Sequence, residues 1–273
     1  MLGARGIPAH TLEENLAQLE KHISLFLLPE ERDVVVDFLS KGREAFANPE
    51  KNLDAQDSGD GLGLTREVFL AAILGGQRQA ALLSMIDEAL RDGHSHLDLY
   101  VAVFAECLHR VGELCELNKI SVAQEHIATS IVQYAIAAIY PRMVPPAVAR
   151  GSMVVTGVAG ERHQIGANLV ADAMEAKGWM VRFLGTNLPH SSVLSAVEQS
   201  SADVLCISTT IVANLPAVAE LVQSVRAKLN GQRPRIVVGG AAYRQAAHFA
   251  REVGATDAVT NLRDGLALLC AEL

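Results

Sequence analysis

The 273-residue chain is poor in aromatic residues, at 4% with Trp179 its single tryptophan. That leaves too few rings for a stacking platform on single-stranded nucleic acid. It also lacks positive charge: 23 Lys and Arg against 31 Asp and Glu give a formal charge of -8. There is no broad basic field for phosphates, and DNA is not expected as a direct partner. The four cysteines, Cys107, Cys115, Cys206 and Cys270, lie far apart and form no C-x-x-C pair. This argues against a zinc knuckle or a disulfide framework and leaves reduced, mostly buried thiols. No apolar run approaches the ~20 residues that span a bilayer, and no basic segment precedes an apolar stretch at the start, so no membrane association is expected and the cytoplasm is the expected location. A G-x-S-x-G elbow, a P-loop and a dinucleotide fingerprint are absent as well.

What is present is a globular composition, 50% hydrophobic and 20% charged, over a length that suits one large domain or two ordinary ones. Three textures follow one another. Residues 1–61 read as a helical extension and linker. Leu12, Leu16, Leu19, Ile23 and Phe26 recur at spacings of four and three, with Thr11 the expected N-cap and Pro29 ending that helix before another begins. This pair suits packing on the rest of the chain, or a docking or homo-oligomerisation surface. The turn-rich stretch 47–63 reads as a linker. Residues 62–145 have helical periodicity interrupted at Gly75-Gly76 and Gly93, and a last helix opened by Ser121 and stopped by Pro141, which predicts a four-helix bundle. In residues 150–273, apolar runs of strand length at 152–158, 180–185, 203–209 and 235–240, with a weaker one at 256–260, alternate with helical stretches. That pattern predicts an α/β region with a doubly wound, five-stranded parallel sheet.

Glu161 and His163 follow the first predicted strand and precede its helix, at the carboxyl edge where such sheets bind ligands. Gly160 and Gly166 give the backbone room to turn there. Glu161, two residues from His163, is in reach of one ring nitrogen, which would fix the tautomer and raise the basicity of the other nitrogen toward a metal. Ser208, Thr209 and Thr210 end the third strand, and Gly239 and Gly240 end the fourth, so successive edges line one groove. His94 and His96 flank Ser95 with no ligating cluster nearby and read as loop histidines. Trp179 reads as a packing residue, and Cys206 as an inert thiol in a buried strand.

Glu161-x-His163-x-x-Gly166 resembles the D-x-H-x-x-G motif of cobalamin-binding proteins of the methionine synthase and corrinoid-protein type, with Glu in place of Asp. Ser208 with Thr210 resembles their S-x-L element, and Gly239-Gly240 their glycine pair. The resemblance runs from about Leu64 to the C-terminus. It implies a flavodoxin-like (Rossmann-like) sheet domain under a helical cap, with cobalamin bound as the adenosyl, methyl or hydroxo form. It further implies that His163 replaces dimethylbenzimidazole as the lower axial ligand of cobalt, the nucleotide tail running into the groove walled by Gly166, Ser208, Thr210 and Gly239. Within the family the closer likeness is to cobalamin-dependent photoreceptor regulators, which carry Glu before the ligand histidine and a W-x9-E-H signature on the cap. Here Glu125 and His126 stand at the right separation, but Cys115 takes the place of the tryptophan that packs against the adenosyl group. The resemblance implies that His126 ligates cobalt from above once light has removed the upper group.

The expected function is therefore a non-enzymatic light sensor that signals to a protein partner, a transcription factor being the expected class, when the cobalt–carbon bond is photolysed. The alternative is a corrinoid methyl carrier that shuttles between two methyltransferases. His163 would suit a haem iron as well, but the complete groove set favours cobalamin.

Overall fold

The change of texture near residue 150 is where helices give way to a sheet in the computed structural model, which describes residues 8–47, 60–78, 80–147, 149–229, 233–244 and 248–270. The first two helices, α1 (Ala9–Ile23) and α2 (Pro29–Ala47), pack on each other. Helix α1 starts two residues before the expected Thr11 cap, after Pro8, whose fixed φ pre-sets a helical start. It also stops well short of Pro29. The chain tightens after Ile23 into turns in which Leu25 N–H donates to His22 and Phe26 N–H to Ile23, leaving Phe26 outside the helix and 84% exposed. Most of the 47–63 linker lies outside the described residues.

The bundle follows as four rods: α3 (Gly63–Leu74), α4 (Ala80–Arg91), a continuous rod of α5 (His96–Leu99), a π-helical turn (Tyr100–Phe104) and α6 (Ala105–Glu116), and α7 (Val122–Ile139). Ser95 and Ser121 open their rods with capping boxes completed by Asp98 and Gln124, each satisfying backbone donors that a helix start leaves unpaired. Phe69, Ile73, Tyr100, Phe104 and Val132 lie at the bundle's centre, each at most 1% exposed.

The sheet comprises β1 (Gly151–Val158), β2 (Trp179–Leu188), β3 (Val204–Ser208), β4 (Arg235–Gly239) and β5 (Asp257–Val259), all parallel, in the order β2-β1-β3-β4-β5. Helices α8 (Ile165–Ala176) and α13 (Leu262–Cys270) cover one face, and α9 (His190–Ser200) and α10 (Leu215–Lys228) the other. Short helices α11 (Ala241–Arg244) and α12 (Phe249–Glu252) follow β4. Strand order reverses between β1 and β3, which opens a crevice above their carboxyl ends. Strand β2 runs three residues past the expected end because it bulges: Val155 faces Phe183, Thr156 faces Gly185 and Val158 faces Leu188. Gly185 and Asn187 take up the extra length at φ 78° and 60°. Among the described residues no helix is long and apolar enough to cross a membrane.

Helix α8 is buried on two sides. Ala167, Ala171 and Met174 pack on the sheet, while Ile165, Leu169 and Ala173 belong to the core of the bundle. Its many alanines let both layers approach closely. On a third face Asp172 accepts from Tyr100 Oη at 3.1 Å and from Asn168 Nδ2 at 2.9 Å through the same oxygen. Burial pushes the Asp172 carboxyl up to about 6, with the two hydrogen bonds opposing and Glu175 adding to the rise. The folded state therefore holds a proton that the unfolded chain gives up near pH 4, so stability is full below that pH and falls as pH rises through about 6. Asp172→Asn keeps a carbonyl oxygen for both donors. It is expected to flatten that fall and to be the more stable form at pH 8 by about 1 kcal/mol, a figure reduced for partial solvent screening. Urea unfolding of both proteins at pH 5 and pH 8 checks this; parallel pH profiles would refute it.

Candidate functional site

The crevice between β1 and β3 is built around one carboxylate. Glu161 is fully buried, and every hydrogen bond it makes fixes part of the loop. Its Oε1 accepts from the backbone N–H of His163 at 2.9 Å and meets His163 Nδ1 at 2.6 Å. Its Oε2 accepts from Thr210 N at 2.8 Å, Ile211 N at 3.3 Å and Asn214 Nδ2 at 3.2 Å. Burial alone would raise its pKa, but these donors more than offset it and hold the carboxyl down at about 2. Glu161 is thus an anion locked between the β1 and β3 edges.

His163 is the exposed end of this arrangement, its ring 55% accessible. The Glu161 hydrogen bond raises its pKa, burial opposes, and the charges of Glu161 and Glu125 add to the rise. With Nδ1–H committed to Glu161, the lone pair of Nε2 is left for a metal. Gly160, at φ 88°, turns the chain ahead of the histidine; its N–H donates to Asn187 Oδ1 at 2.9 Å.

Beside this loop a narrow cavity of about 120 Å³ runs down between α8 and the ends of β3 and β4. Gly166, Ser208, Gly239 and Gly240 line it, as do His109 of the cap and Arg244. The other groove candidates are used differently. Thr210 turns its backbone N–H to Glu161. Thr209 is buried, its N–H donating to Gly239 and its carbonyl accepting from Ala242. A backbone donor suits a fixed anion better than a rotating hydroxyl, and this is why the residues after β3 brace the loop, while Ser208 at the end of the strand walls the groove.

Above the crevice, the first turn of α7 presents Glu125 and His126. His126 Nδ1 meets Glu125 Oε2 in a short contact, its ring 74% exposed, and Thr129 Oγ1 donates to the other Glu125 oxygen at 3.0 Å. The effect of Glu125 on His163 shows that this end of the cap faces the loop. Val122 and Ile127 beside the pair, and Ile211 and Val212 after β3, are large apolar side chains left exposed. Cys115 is partly buried near the end of α6. Cys107 and Cys206 are buried, both thiols pushed up to about 12 by burial; Cys206 is accordingly inert.

Sequence reading missed two asparagines. Asn187-Leu188-Pro189 precedes α9, and Asn214-Leu215-Pro216 opens α10; the repeated triplet is the signal that could have found them. Each carries its side chain back to the His163 loop.

Among the described residues no three His, Cys, Asp or Glu gather to hold a metal. A lone imidazole of this kind suits a metal that arrives with its own equatorial ligands, and the adjacent slot with glycine walls suits a long appendage of the same molecule.

Glu161→Gln is expected to cost about 2–4 kcal/mol of stability, because either amide orientation turns an NH2 group toward buried donors. It should also weaken ligation at His163 by about 10–100-fold. Chemical unfolding and metal-ligand titration read the two effects; a fully stable variant with unchanged affinity would contradict both.

Residues 151–263 match a family model described as B12 binding domain, and residues 65–140 match a second model of the same description. Methionine synthase of Mycobacterium leprae is 25% identical over 189 residues, 62% of this chain and 14% of that protein. Dimethylamine corrinoid protein 3 of Methanosarcina acetivorans is 22% identical over 161 residues, 59% of this chain and 75% of that protein. The solved structure of the monomethylamine corrinoid protein of Methanosarcina barkeri shares the fold, with a TM-score of 0.62 at 19% identity over 75% of this chain and 96% of that one.

Proposed function

From a chain that belongs to the cobalamin-binding domain family, carries both B12 binding domains in tandem and has cobalamin as its cofactor, we propose that it acts as a corrinoid methyl carrier. It would take a methyl group from one methyltransferase and yield it to another. The observation that carries this reading is the His163 ring, anchored by a buried carboxylate on one nitrogen and free on the other, in a chain whose relatives are named methionine synthases and methylamine corrinoid proteins. The light-sensor reading drew on Glu161 and on the Glu125-His126 pair, and those relatives favour the carrier over it.

Bound cobalamin supplies a cobalt centre that accepts and releases a methyl group. His163 would offer Nε2 to the cobalt, and Glu161 keeps the ring proton on Nδ1 and resists displacement because five donors hold it. Gly166, Ser208, Gly239 and Gly240 wall the slot for the nucleotide tail. His126, Val122 and Ile127, exposed at the start of α7, would border the bound corrin, His126 with only its Nδ1 engaged among the described residues. Methyltransferases are the expected protein partners.

The test is transfer in darkness. Protein reconstituted with hydroxocobalamin, reduced, and mixed with a methyltransferase of the methylamine or methionine-synthase class and an isotope-labelled methyl donor is expected to acquire the label. It should then lose the label to a thiol acceptor when a second methyltransferase is added. Absence of both half-transfers, together with partner binding that changes on green illumination, would return the sensor to first place.

A further inference from the structure

The cavity beside His163 changes character along its length. Its depth is formed by Val155, Met174, Cys206, Val237 and Leu269, all buried and apolar. Its lining also includes two nitrogen groups from different parts of the chain, His109 on cap helix α6 and Arg244 at the end of α11. Arg244 is exposed, and among the described residues it forms no ion pair with a carboxylate. The nearby acids are engaged elsewhere: Glu113 pairs with Arg110 at 3.0 Å, and Asp264 accepts from Asn261 and Thr260. Burial pushes the His109 imidazole down to about 4, the Arg244 charge pushes the same way, and Glu113 opposes. Two bases that disfavour each other's charge around one opening are a poor arrangement alone and a good one around an anion.

An apolar slot with a cationic rim suits an aromatic base joined to a phosphate. We infer that His109 and Arg244 form a clamp for the phosphodiester of the cobalamin nucleotide tail, one jaw from the cap and one from the sheet domain. The tail then does more than fill the groove: its phosphate ties α6 to α11, and a corrinoid without it leaves the cap less firmly held. This rests on the nucleotide tail lying in the cavity, as proposed above, and is independent of methyl transfer.

The experiment compares three corrinoids on the full chain: hydroxocobalamin, cobinamide phosphate and cobinamide, the last lacking the phosphate. Arg244→Gln and His109→Gln are each expected to weaken hydroxocobalamin and cobinamide phosphate by about ten- to hundredfold, leaving cobinamide within about twofold of wild type, and Arg244→Lys should recover most of the loss. Equal losses for all three ligands, or no loss for any, would overturn the clamp. Wild-type protein that binds cobinamide as tightly as cobalamin would overturn the groove assignment itself while leaving the methyl-transfer assay unaffected.

Discussion

His163→Ala is expected to abolish the imidazole-ligated spectrum of bound cobalamin and to lower affinity by roughly two orders of magnitude or more, beyond the effect of losing a supporting residue. The same change should cost the cofactor-free protein no more than about 1.5 kcal/mol, the worth of one hydrogen bond to a charged group, because an exposed side chain contributes little packing. The ring is 55% accessible, and Glu161 keeps its backbone donors and Asn214 when it is gone. The separation of effects is diagnostic: a histidine that merely packed would move stability and leave the spectrum alone. Added imidazole should restore part of the spectrum in the variant. A spectrum indistinguishable from wild type would remove His163 from the site.

The second large effect falls on the backbone. Gly240 sits at φ 104°, and a Cβ there would lie 2.9 and 3.0 Å from the carbonyl carbon and nitrogen of Thr209 and closer still to its oxygen. Thr209 cannot yield, because its N–H is bound to Gly239 and its carbonyl to Ala242. Gly240→Ala is expected to cost roughly 4 kcal/mol or more, or to prevent folding, as read by the chemical unfolding midpoint. Gly166→Ala makes the contrast. It has no neighbour within 4 Å of an added Cβ and lies in helix α8, so the cofactor-free protein should gain about 0.5–1 kcal/mol, while the methyl intrudes on the groove and weakens cobalamin. If both substitutions cost the same, the clash at Thr209 is not what restrains Gly240.

What was readable beforehand was local. Glu161 and His163 are two residues apart, and their hydrogen bond follows from spacing. The alternation of apolar runs with helical stretches fixed a parallel sheet, and with it the carboxyl edge where the loop had to lie. Partners that reach across the sheet were hidden: Asn187 meets Gly160 over 27 positions and Asn214 meets Glu161 over 53, distances at which periodicity carries no information. Thr210 shows a subtler limit. A hydroxyl residue at a strand end invites a role for its side chain, yet its peptide N–H is what holds the carboxylate. Strand β2 looked short because Gly185 reads as a terminus, whereas here it permits a bulge that carries Asn187 into place. Light sensing and methyl carriage differ in what approaches the open face, and neither Glu161 nor the Glu125-His126 pair encodes that visitor.

Helix α8 belongs to two cores at once, with Ile165, Leu169 and Ala173 inside the bundle and Ala167, Ala171 and Met174 against the sheet. The chain is therefore not a pair of interchangeable cassettes. A cap borrowed from a relative would have to reproduce the three-knob profile that α8 presents. Substitutions on the two sides of that seam should covary through descent, so that the two halves are inherited together and lost together.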